Sequence, residues 1–180
     1  MRYLLYLLAN LAMEAVSFPL AFVLPFFARN AWLPRWLWWF QTPDNSLEGD
    51  SGWQNEHWQW RKRLPKPLCT YVGYTGWLLR NRAYGFKWTA IAAPVVQADL
   101  RYKGDLGIKN RDHARAGLLR VSMDSYWQYK RVWQIPGRPR CVMLNFGWQL
   151  DNYVTNPDLH RTRPDALFMF SPRLTAFRPD

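Results

Sequence analysis

The chain begins with a long apolar segment. Residues 3–28, YLLYLLANLAMEAVSFPLAFVLPFFA, are interrupted by only three polar residues, Asn10, Glu14 and Ser17. An α-helix rises about 1.5 Å per residue and about 20 helical residues cross a bilayer core, so the run is long enough to span a membrane. It is too long for the apolar core of a signal peptide and no A-x-A cleavage site follows, which favours an uncleaved anchor.

Two features of this run leave alternatives open. Pro19 lies inside it and predicts a kink, so two shorter helices that dip into one leaflet, or a core helix packed on the rest of the protein, remain as variants. Glu14 is either an intramembrane carboxylate with a function or, as we favour, a side chain that faces the rest of the protein or another protomer, or that is protonated in place.

A tryptophan cluster follows the apolar run. Residues 31–40, AWLPRWLWWF, place Trp32, Trp36 and Trp39 on one helical face, with Trp38 beside them. Pro34 suits the first turn of a helix. The pattern predicts an amphipathic helix in the headgroup plane, with these four tryptophans at the membrane interface; an aromatic segment packed in the core is the alternative.

From residue 68 onward the sequence pattern is typical of β-structure. LCTYVGYTGW, residues 68–77, is rich in β-branched and aromatic residues and predicts a strand. YWQYKRVWQI and RCVMLNFGWQL alternate, and the turn formers Pro136 to Pro139 between them predict an antiparallel hairpin. We expect its apolar positions to be buried: Trp127, Tyr129, Trp133, Ile135, Val142, Leu144, Phe146, Trp148 and Leu150. DALFMFSP predicts a third strand that ends at Pro172.

These patterns predict an α+β protein, in which a hydrophobic membrane helix precedes a mainly antiparallel β-sheet or small barrel. The predicted domains are residues 1–40, anchor and interfacial helix, and residues 41–180, a single basic β-rich domain. The aromatic content of 17% and apolar content of 49% exclude a disordered chain.

The net charge of +11 is unevenly distributed. Residues 1–60 carry −2 and residues 61–180 carry +13. Such a field attracts anionic lipid, nucleic acid or an acidic protein. Basic and aromatic residues alternate in residues 76–88, a mixture that could stack bases and hold phosphates. The candidate residues for an anionic partner are Arg61, Lys62, Arg63, Arg80, Arg82 and Lys87.

Residues for chemistry are few. Asp44, Glu48, Asp50 and His57 could hold a divalent cation and support a metal-assisted hydrolase, but they match no EF-hand loop, and an ordinary polar surface loop is the favoured interpretation. The three histidines, His57, His113 and His160, show no zinc spacing, and no nucleophile, P-loop or dinucleotide motif occurs. The sequence indicates no cofactor, and a binding protein is favoured over an enzyme.

The two cysteines, Cys69 and Cys141, are expected to be buried free thiols, although a periplasmic domain could pair them.

Four segments resemble a group of uncharacterised small proteins of tailed bacteriophages. They are WWFQTPDNSLEGDSGW from Trp38 to Trp53, RNRAYGF from Arg80 to Phe86, RCVMLNFGWQL, and ALFMFSPRLTAF near the end of the chain. The chain departs from that pattern at Arg82, where the resemblance leads us to expect proline. It implies a phage origin and a small accessory protein that acts by binding host or virion components, and it carries over no catalytic residue.

The expected function is therefore that of a membrane-anchored phage accessory protein in the host inner membrane, with its C-terminal domain in the cytoplasm. Its expected partners are membrane lipid and a protein of the host or virion. Nucleic acid is a third, less favoured partner.

Overall fold

The structure, a computed structural model, describes residues 1–108 and 115–177. The chain forms two compact units, Met1–Ala90 and Ile91–Asp180. The first contains the N-terminal apolar helix and the second a mainly antiparallel sheet, which confirms the α+β class, and the sheet is open, not a closed barrel. This division differs from the predicted boundary after residue 40, because most of residues 51–89 are helical.

The first unit contains four α-helices: α1 (Arg2–Leu20), α2 (Ser51–His57), α3 (Lys66–Arg80) and α4 (Tyr84–Thr89). Three short 3₁₀ helices, Leu24–Phe27, Arg35–Phe40 and Gln59–Arg63, connect them. Helix α1 ends one residue after Pro19, so the apolar run is divided and not kinked in its middle. The tryptophan segment is a 3₁₀ helix that begins after Pro34, not the predicted amphipathic α-helix.

The strand predicted for residues 68–77 is wrong, since these residues belong to α3. A Cβ on Gly73 would collide with the Arg61 guanidinium, and one on Gly76 would lie 3.1 Å from the Trp58 ring. The two glycines therefore let the segment Trp58–Arg63 pack directly on the backbone of α3. Tertiary packing of this kind overrides the weak strand propensity of the sequence.

A compact apolar cluster holds the first unit together. Helix α1 packs on α3 and α4, and α4 packs on the 3₁₀ helix Arg35–Phe40. The buried members of the cluster are Ala21, Leu24, Ala31, Leu33, Leu37, Leu47, Trp77 and Leu78.

The second unit is built on a five-stranded antiparallel sheet. Its strands are β2 (Arg101–Gly104), β3 (Gly117–Met123), β4 (Tyr126–Gln134), β5 (Arg140–Trp148) and β7 (Phe168–Ala176), in the spatial order β2-β3-β4-β5-β7. Two short strands, β1 (Ala93–Pro94) and β6 (Asp165–Ala166), pair separately. Within residues 91–108 and 115–177, the helices are a 3₁₀ turn at Gln97–Asp99, α5 (Asp151–Thr155) and α6 (Leu159–Thr162).

The predicted hairpin is confirmed: β4 and β5 pair antiparallel across the turn at residues 136–139. The strand predicted to stop at Pro172 instead continues to Ala176. This is possible because β7 is an edge strand, where a proline does not remove a ladder hydrogen bond from the interior of the sheet.

The predicted buried face of the hairpin is wrong along β4. Gln128, Lys130 and Val132 are buried, whereas Trp127 and Trp133 on the opposite face are exposed. In β5, Cys141, Met143 and Asn145 are buried and Val142, Leu144 and Phe146 are half-buried. Only at the end of the hairpin are the expected residues, Trp148 and Leu150, buried. The reason is a polar network that the sheet itself encloses, in which Gln128 donates to Asn145 and Lys130 pairs with Asp151.

Candidate functional site

Helix α1 presents its polar residues to the protein and its apolar residues to the outside. Its two buried residues are Asn10 and Ser17. Apart from Arg2, its exposed residues are apolar, and six of them are large: Leu4, Leu5, Leu8, Leu11, Val16 and Phe18. We call this set the outer helix face. A helix on the surface of a water-soluble protein has the opposite arrangement, with an apolar stripe towards the core.

The polar side of α1 is held by specific bonds. Glu14 accepts a hydrogen bond from Asn10 Nδ2 at 3.0 Å and pairs with Lys87 Nζ of α4 at 2.5 Å. The Ser17 hydroxyl donates to the Met13 carbonyl at 2.6 Å. Of the interpretations of Glu14, the structure supports the one in which it faces the protein, since it forms an ion pair with a neighbouring helix.

Helix α1 is long and apolar enough to cross a membrane, and 11% of its most apolar 18-residue window is buried. Large apolar side chains remain exposed after its end, at Phe22, Val23, Phe26, Phe27, Trp32, Trp36, Trp38 and Trp39. Isolated exposed apolar residues are ordinary, but a long contiguous series marks an interaction surface.

The four tryptophans predicted for the membrane interface are all exposed, and Trp36 most of all, at 71%. Trp32 closes a tight turn in which its backbone and that of Arg29 exchange two hydrogen bonds. Trp38 donates its indole N–H to the Leu33 carbonyl at 2.9 Å. A groove of about 750 Å³ runs past Phe26, Arg29 and Trp36. The segment therefore combines apolar rings, a cation and a cleft on one part of the first unit.

The acidic residues and His57 do not converge. Asp50 caps α2, accepting from Gly52 N at 2.9 Å and Trp53 N at 3.5 Å. His57 stacks on Trp53 and lies 3.8 Å from Glu56. Asp44 and Glu48 are exposed. Within residues 1–108 and 115–177, no group of three His, Cys, Asp or Glu side chains is close enough to hold a metal ion, and His113 lies outside the described residues.

The six basic candidates have different roles. Arg61 donates to the Cys69 carbonyl at 3.2 Å and Lys87 pairs with Glu14, so both support the fold. The Arg80 guanidinium lies 4.8 Å from the centre of the Trp53 ring and 5.2 Å from that of Trp77. Lys62, Arg63 and Arg82 are exposed and open to an anionic partner.

A second surface lies on the sheet and was missed by the sequence reasoning. We call it the open sheet face; its aromatic and basic residues are Arg101, Lys103, Arg120, Trp127, Tyr129, Arg131, Trp133, Phe146 and Phe170, and the register places Leu118, Ser122, Val142, Leu144, Pro172 and Leu174 on the same side. Phe146 and Phe170 stack at 5.4 Å and 17°, and Arg120 lies 5.8 Å from the centre of the Tyr129 ring. A groove of about 600 Å³ lies along this face and its edge, and Arg101, Trp127 and Phe146 are among its lining residues. The signal in the sequence was the absence of any Asp or Glu from the five strands.

Both cysteines are free, Cys69 half-buried and Cys141 buried. Burial raises the pKa of the Cys141 thiol. The pKa of Tyr74 is raised too, first by burial and then by the nearby Glu48 carboxylate. None of these groups lies on the outer helix face or on the open sheet face.

The comparison with known families covers nearly all of the chain. A single family model matches residues 1–176. The chain belongs to DUF7338, a family of unknown function. No curated protein and no solved structure matches it. Membership in DUF7338 therefore assigns no activity, and any function must be argued from the two surfaces.

Proposed function

We propose that this protein is a membrane-attached phage accessory protein that acts by binding a partner in the host envelope or the virion. The observation that carries the proposal is the inverted polarity of α1, with Asn10 and Ser17 buried and six large apolar residues exposed. Burying one leucine side chain contributes roughly 1.5–3 kcal/mol, so a lipid environment for this face stabilises the attached state strongly. The phage origin rests on the motif resemblance described above.

The ion pair between Glu14 and Lys87 supports attachment in the plane of one leaflet. Glu14 lies in the middle half of α1, and Lys87 belongs to a helix that packs beside it. If α1 crossed the bilayer, α4 and the neighbouring Arg82 would be drawn towards the hydrocarbon, where a charged side chain is strongly unfavourable. A helix lying in the interface keeps these charges in water and immerses only the outer helix face.

The exposed tryptophans and Arg29 also support attachment in the plane of one leaflet. Indole rings favour the headgroup region, and an arginine beside them can pair with lipid phosphate. We further propose the cytoplasmic side of the host inner membrane, because the anionic lipids of that leaflet attract basic protein and residues 61–180 carry a net charge of +13.

The experiment compares membrane attachment of the full chain with that of two triple variants. Leu4→Ser, Leu8→Ser and Leu11→Ser together change the outer helix face. Leu68→Ser, Val96→Ser and Leu174→Ser together remove the same number of exposed apolar side chains elsewhere. Cells that express each form are fractionated, and the membranes are extracted with carbonate and then with detergent.

We expect the wild type and the control variant to require detergent. The outer-face variant should move to the soluble fraction, because three leucines contribute about 4 kcal/mol or more of partitioning, on the order of a thousand-fold. Near-UV circular dichroism of the purified forms checks that the fold is kept. A wild type that stays in the supernatant without detergent, or equal release of the two variants, would overturn the proposal.

A labelling experiment distinguishes in-plane from spanning attachment. Single cysteines are introduced by Arg2→Cys or Glu48→Cys in a Cys69→Ser, Cys141→Ala background and treated with an impermeant maleimide in spheroplasts and in inverted vesicles. In-plane attachment on the cytoplasmic side predicts that both positions react only in inverted vesicles. Reaction of the two positions from opposite sides would indicate a spanning helix.

A further inference from the structure

We propose that the open sheet face of the second unit binds single-stranded nucleic acid. This goes beyond membrane attachment, which concerns residues of the first unit. The site consists of a ladder of aromatic rings across neighbouring strands, with arginine and lysine side chains among them.

The ladder is set by the strand register. Arg120 of β3 is paired with Tyr129 of β4, Tyr129 with Phe146 of β5, and Phe146 with Phe170 of β7. Paired residues project from the same side of a sheet, and neighbouring strands are about 4.8 Å apart. The three rings therefore span about 10 Å, which gives room for two or three unstacked bases.

The rings remain accessible. Phe170 is 37% exposed and Trp127, the next aromatic residue along β4, is 36% exposed. Tyr129 and Phe146 are half-buried, so each ring is partly covered and partly at the surface. Bases stack on such rings with little dependence on sequence, because every base has a π-face.

Charge complementarity identifies the occupant as a polyanion. Strands β2, β3, β4, β5 and β7 contain no Asp or Glu. Arg101, Lys103, Arg120 and Arg131 lie on the open sheet face, and no carboxylate of residues 1–108 and 115–177 forms an ion pair with them. Arg101 also donates to the Ala98 and Leu100 carbonyls, but its positive charge, like those of the other three, is not neutralised by a carboxylate and can attract a phosphate.

The position of the arginines distinguishes a nucleic acid from a membrane. Arg131 lies within β4, paired with Leu118 and Leu144, and Arg120 lies within β3, paired with Lys103 and Tyr129, so neither arginine is at the rim of the sheet. Pressing this face into hydrocarbon would bury both cations, which is strongly unfavourable. A single strand instead places a base on each ring and a phosphate near each cation, whereas a duplex keeps its bases stacked and unavailable to the rings.

The test uses the full chain in a nonionic detergent and a fluorescein-labelled dT12 oligonucleotide, followed by anisotropy between 50 and 400 mM salt. Each phosphate contact contributes about −0.7 to the slope of log K against log salt. We expect saturable binding with a slope of about −2 to −3, and at least ten-fold weaker binding of a 12-base-pair duplex. Absence of binding at about 100 μM protein in 50 mM salt, or equal affinity for the duplex, would overturn the proposal.

Paired variants locate the site. Tyr129→Leu with Phe146→Leu should weaken dT12 binding at least about ten-fold, while Tyr129→Phe with Phe146→Trp keeps the rings and should retain it. Arg120→Gln with Arg131→Gln should reduce the magnitude of the salt slope by about 1.4. Lys66→Gln with Arg138→Gln removes the same charge from exposed positions outside the open sheet face and should leave the slope unchanged.

Three results would contradict this assignment. One is undiminished dT12 binding by the leucine pair. The second is an equal change of slope in the two glutamine variants, which would indicate general charge and not the sheet face. The third is a protein that does not bind dT12 but attaches to phosphatidylglycerol vesicles, and loses this attachment when Arg120 and Arg131 are replaced. That result would make the open sheet face a membrane-binding surface.

Discussion

Lys130 Nζ lies 2.5 Å from Asp151 Oδ2, and the two side chains are only 2% and 9% exposed. The same ammonium donates to the Ile108 carbonyl at 2.9 Å. Asp151 in turn donates its backbone N–H to Gln128 Oε1 at 2.7 Å, and Gln128 donates to Asn145 at 3.0 Å. This chain of bonds joins β4 and β5 to the start of α5 and fills the position where an apolar core would be expected.

Removing one partner of this pair should strongly destabilise the second unit. Lys130→Met leaves a buried carboxylate without its cation, and Asp151→Leu leaves a buried ammonium without its anion. Each should lower the free energy of unfolding by about 3–5 kcal/mol. Urea unfolding in nonionic detergent, followed by near-UV circular dichroism, measures the effect.

The double variant Lys130→Met with Asp151→Leu is the informative control. Replacing both charges with apolar side chains of similar size often restores stability, so the double variant should be more stable than either single variant. Losses below about 1 kcal/mol in both single variants, or strictly additive losses in the double variant, would show that the pair is not coupled.

The network around Lys130 and Asp151 also explains which features of the hairpin could be predicted from the sequence and which could not. The alternation of YWQYKRVWQI and the turn at residues 136–139 predicted the hairpin correctly, because register and turn chemistry are local. The identity of the buried face is not local. Gln128 and Lys130 can lie inside only because Asn145 and Asp151 meet them there, and that meeting depends on pairing distant in sequence.

In the first unit, too, local sequence patterns predicted some helices correctly and failed where distant residues decide the packing. The length of the apolar run predicted α1, and the tryptophans after it are exposed as the interfacial interpretation requires. The β-branched and aromatic residues of α3 suggested a strand, because the sequence does not reveal that Arg61 and Trp58 pack against the glycines of this segment. The open sheet face was missed for the related reason that its aromatic residues were assigned to the core.

Gly85 should tolerate no side chain. A Cβ there would lie 1.9 Å from the Trp38 carbonyl oxygen and 2.5 Å from that of Gln41, and both are backbone atoms. Glycine to alanine in a helix usually stabilises by up to about 1 kcal/mol, but here the overlap should reverse the sign and cost about 1–3 kcal/mol. Chemical unfolding of Gly85→Ala in detergent checks the sign. A variant more stable than the wild type would show that α4 does not pack this closely on residues 38–41.

Trp148 and Trp133 should respond very differently to the same substitution. Trp148 is 1% exposed, donates its indole N–H to the Ile91 carbonyl at 2.9 Å, and meets the Tyr126 ring at 4.9 Å. Trp148→Ala should therefore lower the free energy of unfolding by about 3–5 kcal/mol. Trp133 is 38% exposed, and Trp133→Ala should cost less than about 1 kcal/mol. Urea unfolding measures both; comparable losses would mean that the open sheet face is covered.

The two thiols should differ in reactivity. Cys141 is fully buried, with its sulfur 3.6 Å from the Ala176 carbonyl oxygen, and Cys69 is half-buried. A disulfide reagent should modify one thiol, Cys69, in the native protein, and Cys141 only after denaturation. Equal native rates for the two would contradict the burial of Cys141.

Burial of Cys141 also predicts a dependence of stability on pH. Burial raises the pKa of its thiol in the folded protein above the value in the unfolded chain. Above the ordinary thiol pKa, near 8.5, the unfolded chain releases the proton and the folded protein retains it. Unfolding is therefore favoured as pH rises, and the stability that the buried thiol contributes at neutral pH is lost as pH approaches the folded pKa.

Urea unfolding of the wild type between pH 7.5 and 9.3 should show this fall in the free energy of unfolding, and Cys141→Ala should show a smaller fall. Tyr74 and Tyr153 also have raised pKa values, but they titrate above this window, so identical pH profiles for the wild type and Cys141→Ala would rule out the thiol as the cause.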